Sequence, residues 1–151
     1  MKSNLMLNLK ENISLAEYTT FNIGGPAKYF LTINNKEDLI KAIEFAKNKH
    51  LPFFILGGGS NLLVNDNGFK GLVIKIQNRN YRIDGTKIIT DAGVELSTLV
   101  NLSVENSLTG LEWAVGIPGT IGGAVKVNAS AYNQNMKDLV KRVEKTKDII
   151  I

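Results

Sequence analysis

The stretch running from Gly110 to Tyr132, GLEWAVGIPGTIGGAVKVNASAY, decides how this chain is read, because it sets five glycines and a proline among short apolar runs. Glycine at that density marks a backbone shaped for close approach to a ligand, since a Cβ blocks both positive φ and contact. A second run, Leu56-Gly57-Gly58-Gly59-Ser60-Asn61, lies upstream and follows the apolar segment Phe53-Phe54-Ile55. Two separated glycine loops suit one extended, phosphate-bearing molecule.

Moving outward, 151 residues suffice to bury a core, as one domain or as two small lobes. No apolar span is long enough to cross a bilayer, and the N-terminal leucines are interrupted by Asn and Lys, unlike a secretory signal. A cytoplasmic protein with no membrane partner is the expectation. The absence of cysteine excludes disulfides, thiolate metal sites and a cysteine nucleophile, so redox chemistry requires a bound cofactor. No His, Asp or Glu spacing suggests a metal site either. The formal charge of +4 comes mostly from dispersed lysines. The one cluster, Lys137, Lys141, Arg142, Lys145 and Lys147, is interleaved with Asp138, Glu144 and Asp148, which argues against nucleic acid as a partner. Oligomeric state is left open by these features.

Ala27 to Ile33 alternates as a strand with Phe30 as the exception. Lys36 to Lys49 carries Leu39, Ala42, Ile43 and Ala46 at helical spacing, with Glu37 and Asp38 in its first turn and Pro52 beyond its end. Phe53 to Leu56 and Leu72 to Ile76 read as short buried strands, separated by the glycine loop and an Asn65-Asp66-Asn67-Gly68 turn. This is a β-α-β lobe over residues 1–77. A second lobe, 78–151, opens on a polar stretch from Asn78 to Gly85. It continues with a strand at Lys87 to Thr90 and a helix over Glu95 to Asn106 with Leu96, Leu99, Val100 and Val104 on one face. Ala124 to Val127 reads as a further strand. The closing Ile149-Ile150-Ile151 resembles a strand cut short, since chain ends are usually polar.

Neither loop is a familiar nucleotide motif. The first reads GGGSN, not G-x-G-x-x-G, and only Leu62-Leu63-Val64 separates it from the next turn, too little for the helix of a Rossmann unit. The second, Gly116-Ile117-Pro118-Gly119-Thr120-Ile121-Gly122-Gly123, lacks the Gly-Lys-Ser/Thr ending of a P-loop. Both can offer backbone N–H donors to a pyrophosphate without a basic side chain, with Ser60, Asn61 and Thr120 as side-chain donors. The plainer reading is that the glycines only turn the chain.

These segments resemble the UDP-N-acetylenolpyruvoylglucosamine reductases, also called UDP-N-acetylmuramate dehydrogenases, of bacterial peptidoglycan synthesis. The matching elements are Thr20-Phe21-Asn22-Ile23-Gly24-Gly25-Pro26-Ala27, LGGGSNLLV at Leu56 to Val64, Gly68-Phe69-Lys70-Gly71, Ala92-Gly93, GLEWAVGIPGTIGGAV, then Asn128 and Ala131-Tyr132. Order and spacing agree over roughly residues 18 to 140. The resemblance implies an α+β, two-lobed FAD-binding domain of the vanillyl-alcohol-oxidase (PCMH) type, with FAD held non-covalently between the lobes. It places Gly57, Gly58, Gly59, Ser60, Asn61 and Leu62 at the pyrophosphate, and Ile117, Pro118, Gly119, Thr120, Ile121, Gly122 and Gly123 beside the ribityl chain and flavin. Ala131 and Tyr132 lie toward the ring and substrate. NADPH is the implied hydride donor and a UDP-sugar, the enolpyruvyl ether of UDP-N-acetylglucosamine, the implied substrate. The substrate domain is absent: the family's catalytic arginine, serine and glutamate belong to segments beyond Ile151, so a half-enzyme is expected, or a silent flavin-binding module.

Against the family's Asn-Ala-Gly-Ala-Tyr-Gly-Gly-Glu, this chain has Ser130 for the first glycine and Asn133-Gln134-Asn135 for the last three residues. If those glycines serve positive φ, asparagine at 133 is tolerable and Ser130 strained, loosening the flavin pocket. His50, the single histidine, reads as a helix-end residue near the dipole, with covalent flavin attachment as its rival. Trp113 and Tyr132 stand as either core aromatics or flavin neighbours. Glu112 receives no chemical role from the sequence.

Overall fold

The computed structural model describes residues 8–146, which fall into two compact units, Met1–Gln77 and Asn78–Ile151. The terminal isoleucines and the last members of the lysine cluster, Lys147 and Asp148, lie outside the described residues.

Unit 1 is built on a four-stranded sheet of order β1-β2-β4-β3, with β1 Lys10–Ser14, β2 Pro26–Ile33, β3 Phe53–Leu56 and β4 Phe69–Ile76. Strand β1 runs antiparallel to β2, whereas β4 pairs in parallel with both β2 and β3. Helix α1, Lys36–Asn48, makes the crossover from β2 to β3. Asn35 caps it reciprocally with Asp38: its Oδ1 accepts the Asp38 N–H at 2.8 Å and its Nδ2 donates to Asp38 Oδ2 at 2.9 Å. The cap satisfies an orphan donor of the first turn, and the helix buries Ala42, Ile43 and Ala46. Phe30 departs from alternation because the β2–β4 register slips between Ala27 and Tyr29, so Ala27 and Phe30 share one core cluster with Leu15, Leu56 and Val73. Strand β1 carries no apolar alternation in its sequence, Lys-Glu-Asn-Ile-Ser, and was not legible without its partner. Strand β4 starts at Phe69, three residues before the apolar run, because Phe69 already pairs with Ala27.

Unit 2 begins with a hairpin of β5 Tyr81–Asp84 and β6 Lys87–Thr90, so the polar stretch from Asn78 contains a strand. Its residues are exposed throughout, and pairing rather than burial defines it. Helix α2, Leu96–Glu105, buries Leu96, Leu99, Val100 and Ser103. Val104, expected on the buried face, is exposed, and Ser103 takes its place with its hydroxyl donating to the Val100 carbonyl at 2.7 Å. Where a strand is expected at Ala124 to Val127, the chain instead completes helix α3, Ile121–Lys126, with Val127 as its C-cap. Four residues are too few to fix a period. Adding Ile121 gives the i, i+3 pair Ile121 and Ala124, and both are buried in a core with Val94, Leu96, Leu99, Val100, Trp113, Ala114 and Met136. A two-residue pairing, β7 Ser130–Ala131 with β8 Gln134–Asn135, and a short helix α4, Met136–Leu139, complete the unit.

All three longer helices end alike. At α1 the N–H groups of His50 and Leu51 donate to the carbonyls of Lys47 and Ala46; at α2 Ser107 and Leu108 donate to Val104 and Ser103; at α3 Asn128 and Ala129 donate to Val125 and Ala124. His50, Ser107 and Asn128 have φ of 52, 54 and 48°. Each is a Schellman closure with a left-handed residue where glycine is usual. His50 therefore stands at a helix end as expected, and the reason lies in its backbone.

Candidate flavin-nucleotide site

The GGGSN loop follows β3 directly, and no helix follows it: the chain runs through turns from Ser60 to Gly68 before β4. Its shape is set by hydrogen bonds to its carbonyls. Lys75, on the central strand β4 and in register with Leu56, donates from Nζ to the Gly57 carbonyl. The Thr20 N–H donates to the Gly59 carbonyl at 3.1 Å. In a trans peptide the C=O of one residue and the N–H of the next point in opposite directions. The Gly58 N–H is therefore directed away from Lys75, and the Ser60 N–H away from Thr20. The N–H groups of Gly58, Asn61 and Leu62 have no intramolecular partner among the described residues. Unpartnered N–H groups in a glycine turn are the material of a nest, which binds anions through partial positive charge.

Gly59 is the position that only glycine can occupy. Its φ is +75°, and a Cβ there would run into the Tyr18 carbonyl oxygen. Tyr18 and Thr20 belong to the segment leading into Thr20-Phe21-Asn22-Ile23-Gly24-Gly25, whose own glycines are fixed against the following turn. The Gly25 N–H donates to the Asn65 carbonyl at 3.0 Å, and a Cβ at Gly25 would meet the Asp66 backbone. Asn65 also accepts from Gly68 N–H at 2.8 Å and, through its side chain, from Asn67 N–H at 2.8 Å. Thus the upstream motif acts as a buttress for the loop.

The second loop is built differently. Ile117 N–H donates to Ala114, Ile121 N–H to Val94 and Gly122 N–H to Ala92, while Gly123 N–H reaches Thr120 Oγ1 at 3.4 Å. Pro118 has no N–H. In the segment 117–123 only the N–H groups of Gly119 and Thr120 lack a partner among the described residues. The expectation that this loop is rich in donors is corrected: most of its donors secure α3 and the Glu95–Thr120 bridge. Thr120 is buried and its Oγ1 caps α3, leaving the side chain only its hydroxyl hydrogen to give. Gly119, at φ +115°, and Gly116, at φ +79°, serve backbone conformation. Gly122 serves close packing, a Cβ there lying 2.8 Å from that of Ala92.

Around this loop, Trp113 is 3% exposed and belongs to the core. Glu112, without a role in the sequence reading, accepts the Gly110 N–H at 2.7 Å through Oε2 and fixes the left-handed Gly110. Tyr132 is 86% exposed, which overturns its reading as a core aromatic. Tyr132 and Asn133 have φ of 51 and 63° and sit between Ala131 and Gln134, which pair. Two left-handed residues between paired strands make a type I′ hairpin. Asn133 suits that turn, as expected. Ser130 lies in the strand before it and is not at positive φ, so the expected strain at Ser130 does not exist. Lys75 was missed by the sequence reading; its signal was a lysine inside the otherwise apolar run Leu72-Val73-Ile74-Lys75-Ile76.

Both loops belong to an α+β flavin-nucleotide-binding fold, and the chain is a member of the FAD binding domain family, whose model matches residues 27–147. Its relatives are narrower in kind. Over 134 residues it is 46% identical to the UDP-N-acetylenolpyruvoylglucosamine reductase of Caldanaerobacter subterraneus subsp. tengcongensis and 42% identical to that of Clostridium novyi, in each case 88% of this chain and 44% of the relative. The crystal structure of UDP-N-acetylenolpyruvylglucosamine reductase (MurB) from Thermus caldophilus matches with a TM-score of 0.72 and 37% identity, over 86% of this chain and 46% of that one. The chain thus spans less than half the length of the relatives it matches.

Proposed function

We propose that this chain is the FAD-binding portion of an NADPH-dependent reductase that converts UDP-N-acetylglucosamine enolpyruvate to UDP-N-acetylmuramate in the cytoplasm. The observation that carries the cofactor assignment is the GGGSN turn, whose Gly57 and Gly59 carbonyls each accept a hydrogen bond while the Gly58, Asn61 and Leu62 N–H groups have no partner among the described residues. A pyrophosphate is the part of FAD that such a nest fits, and the fit needs no side chain at Gly58. Donors of this kind hold the cofactor non-covalently.

When bound, FAD supplies a two-electron carrier that accepts hydride from one substrate and passes it to another. The chain's own residues bind and orient it. Gly57 to Leu62 take the pyrophosphate, and Gly119 and Thr120 offer the remaining N–H groups of the 117–123 segment toward the ribityl and flavin portion. Ala131 and Tyr132 lie on the ring and substrate side in this reading, and the exposure of Tyr132 suits a residue that meets a ligand. The names of the relatives supply the reaction, and the identity over nearly the whole of this chain supports carrying it over.

The test is spectroscopic. The purified chain reconstituted with FAD is expected to show a structured flavin absorbance that comigrates with protein on gel filtration and is released by acid denaturation. Protein that stays colourless after incubation with excess FAD would remove the assignment.

A further inference from the structure

We propose that Lys75 is a positioning residue for the cofactor: its ammonium fixes the Gly57 carbonyl inward and so sets the Gly58 N–H toward the FAD pyrophosphate. This inference rests on the pyrophosphate reading of the GGGSN loop.

Lys75 is out of place by the ordinary rules of a sheet. It lies on β4, hydrogen-bonded on one side to β2 through the Thr32 register and on the other to β3 through Leu56. Its neighbours Ile74 and Ile76 are buried and Lys75 itself is half-buried. A central parallel strand normally carries an apolar run, and an ammonium there loses hydration that must be replaced. The Gly57 carbonyl, one residue past the end of β3, supplies part of that replacement. A carbonyl held by a charged donor is fixed more firmly than one held by a neutral group. Because the peptide is planar, that contact also fixes the direction of the Gly58 N–H, and neither Gly57 nor Gly58 has a side chain of its own to do so. The Thr20 N–H performs the same service at Gly59, so the loop's two carbonyl anchors are one backbone donor and one cation. Lys75 also places a positive charge beneath a loop assigned to a diphosphate.

The test uses the full chain and FAD itself. Lys75→Met is expected to weaken FAD binding by roughly tenfold to a hundredfold, the scale of a lost charge-assisted hydrogen bond. Lys75→Arg, which keeps a charged donor, is expected to stay within about threefold of the parent. In the apoprotein the Gly58 amide resonance is expected to move in Lys75→Met and to remain near its parental position in Lys75→Arg. A Lys75→Met protein that binds FAD like the parent, or a Lys75→Arg protein as weak as Lys75→Met, overturns the proposal while leaving the pyrophosphate reading intact. Should Lys75→Met not fold, Lys75→Gln replaces it with the same expected loss and the same overturning result. A folded parent that fails to bind FAD at all overturns both.

Discussion

Gly59 shows how tightly a residue-scale constraint can be drawn, because its positive φ and the Tyr18 carbonyl behind it act together. Gly59→Ala must accept a left-handed backbone and displace the Tyr18 carbonyl, so the apoprotein is expected to lose roughly 2 kcal/mol or more, read by urea unfolding. Gly58→Asp tests binding instead. It sets a carboxylate against the assigned phosphates, and FAD affinity is expected to fall at least tenfold, about 1.4 kcal/mol, in a fluorescence titration. An unchanged titration would detach the loop from the cofactor. Tyr132 is a third case, a large exposed aromatic in a left-handed turn position that asparagine fills more easily. Tyr132→Asn is expected to stabilise the apoprotein by about 0.5–1 kcal/mol and, if the ring serves the flavin side, to weaken FAD binding at the same time. A stabilised variant with unchanged FAD affinity would mean the tyrosine serves something other than the cofactor.

At the scale of elements, helix ends separate what the sequence displays from what it hides. The start of α1 is legible, since Asn35 followed by Glu37 and Asp38 is a cap with a charged first turn. The ends of α1 and α2 are legible to within a residue from the periodicity, but the left-handed closures of the three helices are not, because they use His50, Ser107 and Asn128 in place of glycine. Replacing Ser107, an exposed position, with glycine is expected to raise the unfolding free energy by about 0.5–1 kcal/mol, measured by urea denaturation. The helix-versus-strand ambiguity at Ala124 has a different root: four residues are too few to fix a period, and Thr120, the cap that settles it, reads in sequence as part of a ligand loop. The glycine loops themselves were legible as a pair, and so was their order in the chain. What the sequence could not display is the allocation of N–H groups. It shows Ile121, Gly122 and Gly123 as ready donors, whereas the fold consumes them on Val94, Ala92 and Thr120. Lys75 stands out in sequence only as a lysine in an apolar run, and its role was hidden because it donates to a backbone carbonyl, which no side-chain motif reports.

For the whole molecule, the division of labour between cofactor binding and proton handling yields the remaining prediction. Reducing an enolpyruvyl double bond places hydride on one carbon and carbanion character on its neighbour, so the charge must be stabilised and the neighbour protonated by a positioned acid. The described residues account for a glycine turn, its buttress and two hairpins, and in the proposed reading the arginine, serine and glutamate implied by the resemblance lie in segments that this chain does not share with its relatives. A positioned acid contributes roughly 10²- to 10⁴-fold and a charge-stabilising donor a further 10²- to 10³-fold. The 151-residue chain reconstituted with FAD is therefore expected to bind the cofactor but to reduce the enolpyruvyl substrate slower than a full-length relative by at least about 10⁴-fold. Anaerobic stopped-flow would resolve the two halves of the reaction. Reduction of bound flavin by NADPH needs chiefly an accessible ring and can persist, whereas reoxidation by UDP-N-acetylglucosamine enolpyruvate needs the acid and the stabilising donor. Fast reoxidation coupled to product formation would place a complete catalytic set within these residues and would overturn the assignment of this chain to cofactor binding alone.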